Sequence, residues 1–169
     1  MSNITLSDLR YVTREDLASQ ISTSPTGTLP PHIAVIDVRD SDHIGGHIKG
    51  STWIPSNELD YKTPELVRTL KGKKTVVFHC ALSQQRGPSA ALRYLREKMR
   101  LDPESKIERK GEVKEEKEDG DKGDKEEEVA GAKQQVVVLQ GGFTKWQEKY
   151  GGDAKLTEGW RKDIWEFGY

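Results

Sequence analysis

Three short apolar runs stand out along an otherwise polar chain. They are His32-Ile33-Ala34-Val35-Ile36-Asp37-Val38, Thr75-Val76-Val77-Phe78-His79-Cys80 and Val136-Val137-Val138-Leu139. Each is rich in β-branched residues and shows no polar alternation, the pattern of a strand buried on both faces. Helical patterns separate them. Thr13, with Asp16 three residues on, resembles a capping box and opens a helix to about Ile21. Thr63 as N-cap and Pro64 at the first helical position predict a further one or two turns to Leu70. Gly87-Pro88-Ser89 opens a helix in which Ala90, Ala91, Leu92, Tyr94, Leu95 and Met99 form an apolar stripe. Gly141-Gly142 closes the third strand, and Phe143, Trp146 and Tyr150 share one face of the helix that follows. Ser22 to Pro31 and Arg39 to Ser51, with Gly45, Gly46 and Gly50 in the latter, read as loops. Strands alternating with helices predict an α/β fold with a parallel sheet covered on both sides.

The stretch from Asp102 to Gln135 breaks this rhythm. It carries 13 acidic and 8 basic residues and almost nothing apolar, so it cannot bury enough surface to offset its ordering entropy. It reads as a charged, low-complexity insert at about 102–135 within one domain over 1–169. It is expected to be solvated, with contact to a partner as its functional alternative. The chain as a whole has 169 residues, is 33% hydrophobic and has a mean hydropathy of −0.78. Its net charge is −1, which does not suit a nucleic-acid binder. Outside the insert the body carries 15 acidic and 19 basic residues, a mildly cationic surface that suits a small anion.

Cys80 is the single cysteine, which excludes an internal disulfide and a Cys-rich zinc site. No His and carboxylate group has metal-ligand spacing, so no metal is expected. The residues Met1 to Asp8 lack the basic-then-apolar pattern of a secretory signal, and no window approaches the roughly 18 apolar residues of a membrane span. The expected location is the cytoplasm or the nucleus, with no membrane partner.

Candidate chemistry concentrates in His79-Cys80-Ala81-Leu82-Ser83-Gln84-Gln85-Arg86-Gly87-Pro88. This string joins a predicted strand to a predicted helix. A loop there can curl so that successive amides point inward, and the helix N-terminus adds partial positive charge. Both favour a thiolate. Arg86, six residues after Cys80, can return its planar fork to the same cradle. The expected site is an oxyanion cup with Cys80 as nucleophile, Arg86 as catalytic cation, and Ala81, Leu82, Ser83, Gln84, Gln85 and Arg86 around the phosphate. His79, one residue away along a strand, is expected on the opposite face from Cys80. It reads as a hydrogen-bonding support rather than a base. No general acid is assigned; Asp40, Asp42 and Glu58 are unranked candidates. Trp53, Trp146, Trp160 and Trp165 are expected in the core, and the aromatic tail from Gly159 to Tyr169 is expected to pack on the body.

These residues resemble the rhodanese-like superfamily. Within it they resemble the branch of M-phase inducer dual-specificity phosphatases and their small fungal relatives, including yeast-type arsenate reductases. Val35-Ile36-Asp37-Val38-Arg39 is similar to the first signature strand. Gly46-His47-Ile48-Lys49-Gly50-Ser51 with Ile54-Pro55, His79-Cys80-x5-Arg86-Gly87-Pro88 and Val138-Leu139-Gln140-Gly141-Gly142-Phe143-x-x-Trp146 are similar to the signatures that follow, in order. The resemblance implies a three-layer fold with about five mainly parallel strands. It also favours a structural role for Asp37 and Arg39, paired or capping buried backbone, over Asp37 as a general acid or a group orienting the loop.

Cys80 to Arg86 spans seven residues, the loop length that the resemblance associates with phosphatases and arsenate reductases; the sulfurtransferase loop is one shorter. The expected activity is a Cys-dependent phosphatase acting on phosphate monoesters, either aryl phosphates or protein phosphotyrosine and phosphothreonine, without a cofactor. The alternative is an arsenate reductase using the same loop, with glutathione and glutaredoxin as reductant, since one cysteine cannot form an internal disulfide. A thiosulfate sulfurtransferase and a non-catalytic binding module are the remaining readings. Related M-phase inducer loops carry acidic residues where this one has Ser83, Gln84 and Gln85.

Overall fold

A computed structural model describes residues 4–24, 28–103 and 134–167. The elements in chain order are β1 (Arg10–Val12), α1 (Arg14–Ser22), β2 (Ile33–Asp37), β3 (His47–Ile48), β4 (Thr52–Trp53), α2 (Leu59–Thr69), β5 (Thr75–His79), α3 (Arg86–Leu101) and β6 (Gln135–Leu139), then α4 (Gly142–Tyr150), β7 (Thr157–Glu158) and α5 (Lys162–Phe167). Five strands form one parallel sheet in the order β1-β6-β5-β2-β4, and β3 pairs antiparallel with β7. Among the described residues no helix is long and apolar enough to cross a membrane.

The unbroken apolar runs serve both faces of this sheet. Ala34, Ile36, Val76, Phe78, Val136 and Val138 face α2 and α3, where Leu66, Val67, Ala91, Tyr94 and Leu95 pack. Ile33, Val35, Val77, Val137 and Leu139 face the other layer, with Leu17 and Ile21 of α1 and Phe143 and Trp146 of α4. The period of two sends alternate residues to opposite faces, and both faces find a helix layer. At the start of α1, the Thr13 hydroxyl accepts the Asp16 amide at 3.0 Å.

Several expectations fail for identifiable reasons. Helix α2 begins at Leu59, so Pro64 lies inside it and Thr63 does not cap it. A 3-10 turn over Ser56–Glu58 leads into the helix five residues before the proline. The Thr63 hydroxyl donates to the Leu59 carbonyl at 2.6 Å. Strand β1 and the short strands β3, β4 and β7 carry little sequence signal, because two or three residues cannot display a period. Trp53 is 49% exposed on the edge strand and is not core, whereas Trp146 is fully buried. The charged stretch at 104–133 lies outside the described residues.

The tail packs on the body as expected. The Trp165 indole donates to the Gly45 carbonyl at 2.8 Å, and Trp160 donates to Gln147 at 3.0 Å.

Candidate active site

Parallel pairing of β2 with β5 places Asp37 beside His79. The loops leaving both strands therefore emerge side by side at the carboxyl end of the sheet, where open α/β sheets hold ligands. One is the loop 80–85, which enters α3 at Arg86. The other is the loop from Val38 to Gly46.

Cys80 is 3% exposed and sits at the base of its loop. Ser83 adopts a left-handed backbone with φ +57, which folds the loop back on the sulfur. Its amide donates to Cys80 Sγ at 3.2 Å, and the Cys80 amide approaches Ser83 Oγ at 3.4 Å. The amides of Ala81, Leu82, Gln84 and Gln85 meet no acceptor among the described residues. Unpaired loop amides next to a buried sulfur, ahead of a 16-residue helix, are the donors that an anion site needs. The side chains of Leu82, Gln84 and Gln85 point to solvent, and Ser83 is buried.

The loop rests on the N-terminus of α4. The Phe143 amide donates to the Cys80 carbonyl and the Thr144 amide to the Ala81 carbonyl, each at 3.0 Å. Gly142, at φ +61, makes this seating possible: a Cβ there lies 2.4 Å from the Ala81 oxygen. Of the Gly141-Gly142 pair that ends the third strand, Gly142 thus also seats the loop.

Asp37 and Arg39 form a fully buried ion pair. Arg39 Nε and Nη2 reach the two carboxylate oxygens at 2.7 to 3.1 Å, and Nη2 also donates to the Gly46 carbonyl at 2.9 Å. The guanidinium lies 4.5 Å over the Phe143 ring. Burial disfavours the Asp37 carboxylate, but attraction to His79 and Arg39 outweighs it and holds the carboxyl below its ordinary range. This pair holds the loop from Val38 to Gly46 through the Gly46 carbonyl.

His79 is fully buried and stacks toward Phe143, on the layer opposite Cys80. Burial pushes its imidazole below the ordinary range, against the attraction of Asp37. Nδ1 donates to the Cys80 carbonyl at 3.0 Å, while Nε2 lies 3.8 Å from Asp37 Oδ2 and has no hydrogen-bond partner among the described residues.

Arg86 is tied to two of the residues considered as acids. Its guanidinium forms a bidentate pair with Asp42 at 2.7 and 2.9 Å and reaches Asp40 at 3.3 Å. The hydrogen bonds from Arg86 hold the Asp42 carboxyl at about 2. Partial burial opposes ionisation of Asp40, but donation from Ser56 and Arg86 still lowers it. Neither group holds a proton near neutral pH, so neither is suited to be the general acid. Glu58 ends the 3-10 turn before α2. The spacing of Asp40 and Asp42 just beyond a strand end was visible in the sequence; their partnership with Arg86 was not, because it depends on the β2–β5 pairing.

The rhodanese-like domain family matches residues 14–149. The chain is 32% identical to the CDC25-like phosphatase YCH1 of Saccharomyces cerevisiae, covering 98% of this chain and 99% of that protein. A shorter stretch of 66 residues is 53% identical to arsenate reductase 2.2 of Oryza sativa subsp. japonica, covering 38% of this chain and 51% of that protein. Among solved structures, a Saccharomyces cerevisiae homolog of single-domain rhodanese and the Cdc25 phosphatase catalytic domain superposes with a TM-score of 0.62. That match has 30% identity and covers 98% of this chain and 97% of the other.

Proposed function

The chain belongs to the rhodanese-like domain family, and on that premise we propose that it is a Cys-dependent phosphatase acting on phosphate monoesters. The observation that carries the reading is the Cys80–Arg86 loop. Its buried sulfur accepts the Ser83 amide, and the amides of Ala81, Leu82, Gln84 and Gln85 have no partner among the described residues. In the reaction the Cys80 thiolate attacks phosphorus, and an S–P bond forms as the P–O bond to the leaving group breaks. The electron pair departs with the ester oxygen. Loop amides and Arg86 hold the three equatorial oxygens, whose charge is greatest at the transition state. Water then attacks the cysteinyl phosphate, releasing inorganic phosphate and the thiolate. With Asp40 and Asp42 ionised, esters whose leaving group needs little protonation, such as aryl phosphates and phosphotyrosine, are the best substrates.

The test is turnover of a fluorogenic aryl phosphate by the wild type and by Cys80→Ser. The expected result is vanadate-sensitive turnover that disappears in the variant. Equal turnover by both, or none by the wild type, overturns the reading.

The similarity to a plant arsenate reductase supports a second reading. Arsenate has the shape and charge of phosphate, and the same cup accepts it. Its reduction takes two electrons, and the chain has one cysteine. Two external thiols, such as glutathione working with glutaredoxin, must supply the electrons and leave as a disulfide. Glutathione-coupled arsenite release that is lost in Cys80→Ser assigns this activity.

A further inference from the structure

A guanidinium offers two parallel donor edges, a terminal one (Nη1, Nη2) and a lateral one (Nε, Nη2). In Arg86 the terminal edge is taken. Nη1 donates to Asp42 Oδ1 at 2.9 Å and Nη2 to Asp42 Oδ2 at 2.7 Å, with Asp40 Oδ2 at 3.3 Å from Nη1. The lateral edge meets no acceptor among the described residues. We propose that Asp42, backed by Asp40, is a positioning residue that presents the lateral edge of Arg86 to the oxyanion at the transition state. This inference rests on the reading of Cys80 and Arg86 as nucleophile and oxyanion-binding cation.

The two carboxylates are themselves held. Asp42 Oδ1 accepts the Asp40 amide at 2.8 Å, and the Ile44 amide donates to the Asp42 carbonyl at 2.9 Å. Asp40 Oδ2 accepts the Ser56 hydroxyl at 2.7 Å, tying the loop to the segment before α2. The root of the loop is the buried Asp37–Arg39 pair. Arg86, by contrast, is long and its side chain is 33% exposed. Without Asp42 it must give up rotamer freedom each time it grips a substrate; with Asp42 that freedom is already lost.

Carboxylates beside an anion cup repel the bound anion and weaken ground-state affinity. What they return is orientation, which matters most where the geometry is strictest. The carboxylates thus oppose binding and favour turnover, so their removal lowers kcat without raising KM, and this separates positioning from plain binding or folding.

Asp42→Asn keeps an acceptor for the Asp40 amide but removes the charge and the second guanidinium acceptor. The expected result on an aryl phosphate is a fall in kcat of about tenfold, the order expected for a misplacement of a fraction of an ångström, with KM unchanged or lower. Protection of Cys80 from iodoacetamide gives a second readout that is independent of turnover. Vanadate, which adopts the trigonal-bipyramidal geometry on sulfur, should need about tenfold more concentration to protect the variant. Phosphate should need no more than it does for the wild type. Asp40→Asn should shift both readouts in the same direction by less, and it serves if Asp42→Asn does not fold. In an Arg86→Lys background, which lacks the bidentate fork, Asp42→Asn should have no further effect on kcat.

Unchanged or raised kcat in Asp42→Asn, or vanadate and phosphate protection weakened in equal proportion, overturns the proposal. If the wild type shows no Cys80-dependent turnover, the phosphatase reading fails, and the vanadate-to-phosphate comparison still decides the role of Asp42.

Discussion

Replacing Gly142 by alanine tests the connection between α4 and the catalytic loop. Gly142 has φ +61, and a Cβ there meets the Ala81 oxygen at 2.4 Å and the Ala81 carbon and Cys80 oxygen at 2.6 Å. All three are backbone atoms and cannot rotate away. Real Cβ contacts begin near 3.0 Å, so the loop must rise from the helix by roughly 0.6 Å. A left-handed alanine costs about 1–2 kcal/mol. Weakening the two loop-to-helix hydrogen bonds adds about 1 kcal/mol each, for a stability loss of about 3–4 kcal/mol. Since a 1 Å misplacement costs about 100-fold in rate, this shift should lower turnover by roughly tenfold in the folded protein.

Gly141→Ala is the control. It is also left-handed, at φ +80, but its Cβ strikes Cβ and Cγ of Lys145, away from the loop. It should lose comparable stability with normal turnover. Urea denaturation and aryl phosphate hydrolysis on both variants give the comparison. Full turnover by folded Gly142→Ala, or an equal loss in Gly141→Ala, refutes the coupling between α4 and the loop.

Asp37→Asn leaves the fully buried Arg39 guanidinium without its counter-charge. The expected loss is about 3–5 kcal/mol, read as a lower urea midpoint; a loss under about 1 kcal/mol contradicts the role of the pair. Asp42 has its folded carboxyl held at about 2 by Arg86, below the value of about 3.9 in an unfolded chain. Its contribution to stability is complete above that unfolded value and disappears as pH falls from about 4 to 2. Wild type should therefore lose more stability across that acid window than Asp42→Asn, and equal slopes in acid unfolding count against the pairing.

Much of the frame was legible locally. The three apolar runs contain strands β2, β5 and β6 to within a residue or two, because a strand covered on both faces needs apolar residues at every position. The stripe on α3 and the Thr13 cap likewise depend only on neighbours within one helical turn. Even the cup was visible as a spacing, since seven residues from Cys80 to Arg86 bridge a strand end and a helix start.

Tertiary structure decided the rest. Arg86 meets Asp40 and Asp42, more than forty residues earlier, only because β2 and β5 are parallel neighbours and release their loops on the same edge. Gln134 is buried because its amide satisfies the carbonyls of Leu70 and Lys73 while its oxygen accepts from Tyr94, and no local pattern marks it. Gly142 carries a turn signature in sequence, yet its contact with the Cys80 loop exists only once β6 lies beside β5. The sequence alone thus determined which segments are strands and helices and where the nucleophile stands. Which charges surround that nucleophile, and what its loop rests on, follow from sheet order, which pairs residues by register rather than by distance along the chain.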